Sequence, residues 1–228
     1  SAFGFFALGN NTSGGNNTMV GAYAGALNID DADNTAVGYA ANYPDGGSNV
    51  TAVGSVALNA NTASDNTAVG KGALTATVGG ANNTAVGSLA GVANTSGSEN
   101  TFVGYRAGMT TTTATTNTVI GSFALDNGAA NTGGLNTVLG HASGRVITSG
   151  TRNTILGYDA GTAVTTGGGN ILIGGNATGN SITTGSSNIA IGDSALTTLT
   201  ASTYPNIAIG VNALYSMATG YQNIAIGY

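Results

Sequence analysis

The chain has 228 residues, 39 of them glycine and none cysteine, and only 6% are charged. A soluble globular domain carries about 25% charged residues, so here Thr, Ser and Asn must make the surface polar. The net charge of −5 sets nine acids against four scattered bases, Lys71, Arg106, Arg145 and Arg152, which leaves no phosphate-neutralising patch and excludes nucleic acid as a partner.

No apolar run approaches the roughly 18 residues of a membrane span, so no membrane insertion is expected within this segment. The 41% apolar residues recur at fixed spacings, which argues for an ordered chain and not a disordered one.

From one end to the other, N-T-A-V-G or a close variant returns every sixteen to nineteen residues. Its closing glycine falls at Gly4, Gly21, Gly38, Gly54, Gly70, Gly87, Gly104, Gly121, Gly140, Gly157, Gly174, Gly192, Gly210 and Gly227. So short and regular a period predicts a parallel β-solenoid of about 14 coils with a ~17-residue repeat. The array 1–228 reads as one repeat domain, and both ends cut through the pattern, as expected for a fragment of a longer fibre protein.

Four residues before each glycine stands Asn, at Asn17, Asn34, Asn66, Asn83, Asn100, Asn117, Asn136, Asn153, Asn170, Asn188, Asn206 and Asn223, with Val50 as the exception. Stacked at one corner, these side chains are expected to form a structural amide ladder. The next position is Thr in nine successive copies, Thr18 through Thr154, and then Ile171, Ile189, Ile207 and Ile224. Because it accepts Ile, it reads as internal. The residue before the glycine is always apolar.

The middle position is usually Ala but enlarges to Phe102, Val119, Val138, Ile155 and Leu172 in five successive copies. A strand with one wet face should alternate apolar and polar residues. The late Ile-Ala-Ile copies do not, so both faces are expected to be covered, one of them by another copy of the chain. The five enlarged middle residues are the proposed inter-chain face. On that reading, Ile155→Asp or Leu172→Asp should break the assembly.

The invariant glycine marks a corner of each coil, since glycine adopts positive φ without steric cost. Three residues on, Ala recurs, commonly followed by Leu or Gly, which suggests a second short strand. The remainder of each repeat is a Thr-, Ser-, Gly-, Asn- and Asp-rich loop placed on the outside.

Catalytic chemistry finds no footing. His141 is the only histidine, lies beside no acidic or nucleophilic residue in sequence, and is expected to be exposed. With no Cys and one His, no zinc or iron site is expected, and no cofactor. Asp30, Asp31 and Asp33 lack the Gly and distal Glu of a calcium loop; a solvated loop is the reading, with calcium left open. Gly167, Gly168 and Gly169 precede a strand and not a helix, so they are not a phosphate loop. Two binding surfaces remain. Tyr39, Tyr105 and Tyr158 each follow a corner glycine and are candidates for glycan binding, though in non-adjacent coils. The Thr row is a candidate ice-binding surface.

The late copies N-I-A-I-G at 188–192, 206–210 and 223–227 resemble the S-V-A-I-G core of YadA-type head repeats of trimeric autotransporter adhesins. The fuller N-T-A-V-G-x-x-A-L at 66–74 is similar to repeats in phage tail-fibre proteins that end in a self-cleaving chaperone. The resemblance covers all copies, although the period is longer than the adhesins' typical 14, and no stalk, anchor or chaperone domain is in view. It implies a left-handed, homotrimeric β-roll. The function expected is a non-enzymatic structural and adhesive segment of an extracellular fibre, on a bacterial surface or a virion. Its partners would be its own copies and a host-cell surface protein or glycan. The alternative is a monomeric solenoid that binds ice or carbohydrate through a repetitive face.

Overall fold

A computed structural model describes residues 1–43, 46–126, 129–199 and 205–228. The chain is an all-β parallel solenoid, and the described residues contain no helix. Each repeat contributes one strand, which the β-branched Thr, Val and Ile favour.

The chain divides into two compact units, Ser1–Ala114 and Thr115–Tyr228. The first holds β1 (Ala2–Phe3), β2 (Thr18–Val20), β3 (Thr35–Val37), β4 (Thr51–Val53), β5 (Thr67–Val69), β6 (Thr84–Val86) and β7 (Thr101–Val103). The second holds β8 (Thr118–Ile120), β9 (Thr137–Leu139), β10 (Thr154–Leu156), β11 (Ile171–Ile173), β12 (Ile189–Ile191), β13 (Ile207–Ile209) and β14 (Ile224–Ile226). Within each unit every strand pairs in parallel with the next in sequence, and equivalent positions stack. Thr35, Ala36 and Val37 lie against Thr51, Ala52 and Val53. Thr154, Ile155 and Leu156 lie against Ile171, Leu172 and Ile173.

The corner glycine ends each strand for two reasons. Gly87 has φ +138°, and a Cβ there would lie 2.3 Å from the carbonyl oxygen of Gly104. Gly140 has φ +136° and would meet the Gly157 carbonyl oxygen at 2.2 Å. The coils approach at the corner so closely that only hydrogen fits.

The sequence suggested a second strand after the corner. The structure instead has a run of turns, in which Val56 and Leu58 have φ of 54° and 51°, and Ser194 and Leu196 have 57° and 56°. Alternate residues in the left-handed region prevent an extended strand. The backbone still bonds from coil to coil: the Leu58 N–H donates to the Ala73 carbonyl at 3.0 Å, and the Leu196 N–H to the Ala213 carbonyl at 3.0 Å.

Successive strand residues point to opposite faces, and here only the middle one points inward. The middle residues Met19, Ala36, Ala52, Phe102, Val119, Val138, Ile155 and Leu172 are all fully buried within a single chain. In most coils the core closes by an exchange of volume between the middle residue and the residue six positions on. Ala52 is followed by Leu58 and Ala68 by Leu74, both leucines fully buried. After Met19, Phe102, Val138 and Ile155 glycine takes the leucine's place, whereas Val119 keeps Leu125 and Leu172 is followed by Thr178. A Cβ on Gly25 would lie 2.7 Å from Met19, and one on Gly161 2.9 Å from Ile155.

Candidate functional site

The strand face away from the core carries two rows of side chains, one on each side of the buried middle position. In β2, β3 and β6 the Thr and the Val are both exposed. In β8, β9 and β10 the pattern is again exposed, buried, exposed. The first row is Thr18, Thr35, Thr51, Thr67, Thr84 and Thr101 in the first unit. In the second unit it runs Thr118, Thr137, Thr154, Ile171, Ile189, Ile207 and Ile224. The other row is Val throughout β2 to β7, then Ile or Leu. Neither row contains a charged residue.

This corrects two expectations. Phe102, Val119, Val138, Ile155 and Leu172 do not form an outer face; each is enclosed by its own chain. Nor is the Thr position internal, since Thr35, Thr84 and Thr137 are exposed. The cause is the two-residue period of a strand. In Thr-Ala-Val the outer pair and the middle residue are both acceptable as core, so the three residues alone do not say which of them faces a second chain. The neighbouring Leu or Gly was the signal that would have decided it.

The repeated Asn lies at the strand entry and is buried up to Asn206, with Asn34, Asn66, Asn83, Asn170, Asn188 and Asn206 fully so and Asn223 half-buried. Within each unit these amides tie one coil to the next. Oδ1 of Asn153 accepts the backbone N–H and the Nδ2 of Asn170, both at 3.0 Å, and its Nδ2 donates to the Gly167 carbonyl at 2.9 Å. The same pattern links Asn66 to Asn83 and Asn83 to Asn100 in the first unit. In the second it links Asn117 to Asn136, Asn136 to Asn153, Asn188 to Asn206 and Asn206 to Asn223.

At Val50 the ladder lacks an amide. There Asn61 supplies one: its Nδ2 donates to the carbonyls of Gly46 and Ala63, and its Oδ1 accepts from Asn66 Nδ2 at 3.1 Å. An amide fully engaged with backbone in this way is a structural element and has no capacity left for a ligand.

The acidic cluster is drawn apart. Asp31 accepts the Gly47 N–H at 2.9 Å and lies 3.4 Å from the Ser48 hydroxyl, whereas Asp33 accepts from Asn16 Nδ2 at 2.9 Å. Asp30 is exposed. Among the described residues no three His, Cys, Asp or Glu side chains gather as a metal site would require.

The three candidate tyrosines fall into different surroundings. Tyr158 stacks on His141, with centroids 5.4 Å apart and planes 14° from parallel, and His141 in turn meets the edge of Phe123. His141 is exposed. Tyr105 is exposed beside Arg106. Tyr39 belongs to a group of five rings with Phe5, Phe6, Tyr23 and Tyr43. Tyr23, Tyr39 and Tyr43 also line an open hollow of about 460 Å³ with Ala40, Val56 and Asn59. Reading only the position after each glycine missed Tyr23 and Tyr43. Aromatic residues two and five positions past neighbouring corners were the available signal.

Comparison with family models, curated proteins and solved structures finds no match to this chain.

Proposed function

We propose that the chain is a non-enzymatic structural and adhesive segment of an extracellular fibre, assembled from identical copies through the two outer strand rows. The observation that carries this reading is the outer face itself: uncharged along each unit, Thr with Val in the early strands and Ile with Ile in the last four. Parallel sheets are found with both faces covered, and exposed apolar surface of this extent marks an interaction site. A second copy of the chain is the fitting cover, because its rows repeat at the same strand spacing. Together with the resemblance to adhesin head and phage tail-fibre repeats, this favours a homotrimer on a bacterial surface or a virion that attaches it to a host cell.

The test is the mass of the chain in solution by light scattering. A trimer gives about 66 kDa, three times the 21.9 kDa of one chain, and Ile191→Asp on the outer face lowers it to one chain while the fold is retained. A wild-type mass of 21.9 kDa contradicts the reading.

The exposure of the Thr row also favours a second reading, a monomeric solenoid that binds ice or carbohydrate through this face. A single-chain mass combined with arrest of ice growth, abolished by Thr84→Tyr, would establish it in place of the fibre.

A further inference from the structure

The hollow bounded by Tyr23, Tyr39 and Tyr43 is lined by residues that follow the strands and by none of the outer strand rows. We infer that it is a saccharide-binding site, taking the pyranose ring of an uncharged glycan. This names the receptor chemistry of the proposed attachment and rests on that reading, but its test reads binding and not assembly.

The first argument is shape. At about 460 Å³ the hollow falls within the roughly 300–1,000 Å³ of small-molecule sites. It is built from three successive coils: Tyr23 from the second, Tyr39, Ala40 and Tyr43 from the third, Val56 and Asn59 from the fourth.

The second is preorganisation. Tyr23 is half-buried and lies at the centre of the ring group. It meets Tyr39 at 6.1 Å and 83°, and Tyr43 at 6.3 Å and 66°. These are the edge-to-face contacts that aromatic pairs prefer. Against Tyr23, Tyr39 and Tyr43 each rest on a ring neighbour in the absence of a ligand. Tyr39 is 56% exposed and so offers its ring to a ligand.

The third is chemistry. Among the described residues the lining has no charged side chain, which disfavours an ionic ligand. It joins aromatic faces to phenol hydroxyls and to Asn59, whose Nδ2 is tied to the Ala40 carbonyl at 3.0 Å and so aligns the amide with its Oδ1 as an acceptor. A pyranose has the matching duality, C–H groups on one face that stack on an aromatic ring and hydroxyls around its edge that exchange hydrogen bonds. A purely apolar partner would leave the phenols and the Asn59 Oδ1 without hydrogen bonds.

The experiment is saturation-transfer NMR on the whole chain with maltohexaose, cellohexaose, chitohexaose and galactotetraose as probes, with the mass in solution measured alongside. The expected result is transfer to pyranose C–H protons of at least one probe. It should weaken at least tenfold in affinity in Tyr39→Ala and Tyr43→Ala, and persist in Tyr39→Phe, which keeps the ring. Mass and melting temperature should be unchanged in the exposed Tyr39 variants. The inference is overturned if no probe shows transfer, or if transfer survives undiminished in the double variant Tyr39→Ala/Tyr43→Ala. It is also overturned if Tyr39→Ala changes the oligomeric mass, because the rings would then lie between copies of the chain.

Discussion

A Cβ placed on Gly108 would lie 2.2 Å from Cδ1 and Cε1 of Phe102, so the largest fully buried side chain of the core rests on a residue that has no side chain. In five other coils the paired position is Leu, at Leu58, Leu74, Leu125, Leu196 and Leu214, with φ between 50° and 56°. Gly108 itself has φ 61°. The backbone at this site therefore accepts Leu, and it is Phe102 that excludes it.

Gly108→Leu is accordingly expected to destabilise the chain by about 3 kcal/mol, the sum of overpacking and left-handed strain. Phe102→Ala should cost about 3–5 kcal/mol through the cavity it leaves. The double variant should be more stable than Phe102→Ala alone, because it recreates the Ala52–Leu58 arrangement. Denaturant unfolding of all four chains gives the coupling, expected near 2–3 kcal/mol. Simple additivity would show that the exchange of volume is coincidental.

Removing one amide from the ladder should be costly in a localised way. Asn153→Ala withdraws the acceptor of the Asn170 N–H and Nδ2 and the donor to the Gly167 carbonyl. Leaving buried groups unpaired costs about 1–3 kcal/mol each, so a loss of about 2–4 kcal/mol is expected. Hydrogen exchange should accelerate most at the Asn170 amide. Exchange that quickens evenly along the chain would show the ladder to be dispensable.

The substitute amide at Asn61 offers a rescue. Asn61→Ala should destabilise by about 2 kcal/mol, since the Gly46 carbonyl loses a buried donor and the Asn66 amide a buried acceptor. Adding Val50→Asn restores an amide at the ladder position and is expected to recover at least about 1 kcal/mol. A double variant no more stable than Asn61→Ala would separate the two features.

Glycines should divide sharply by position. Gly140→Ala places a Cβ 2.2 Å from the Gly157 carbonyl oxygen at φ +136°, and a loss of about 3 kcal/mol or more in unfolding free energy is expected. At Gly79 a Cβ meets nothing within 4 Å. Gly79→Ala should therefore be neutral or stabilise by up to about 1 kcal/mol. Equal effects of the two would refute the account of the corner.

The repeat period, the strand positions and the corner were legible because one Gly recurs in a fixed frame and tolerates no alternative. The direction of the strand was not. Thr35-Ala36-Val37 places two apolar residues on opposite faces, and nothing within those three residues says which face is the core. The information lay six residues on, in the alternation of Leu58 and Leu74 with Gly108 and Gly161, which appears only when volumes are compared across positions. The ring group at Tyr23, Tyr39 and Tyr43 was hidden for a related reason. Its members occupy different positions of the repeat and meet only because neighbouring coils stack.

The central claim is that copies of the chain meet through the outer strand rows. The chain contains no cysteine, so single substitutions report contact directly. Ile191→Cys, in the outer row of β12, and Thr95→Cys, in an exposed loop, would each be treated with a short bis-maleimide and resolved by denaturing electrophoresis. The account predicts covalent multimers from Ile191→Cys and single chains from Thr95→Cys. Multimers from Thr95→Cys with none from Ile191→Cys would contradict it.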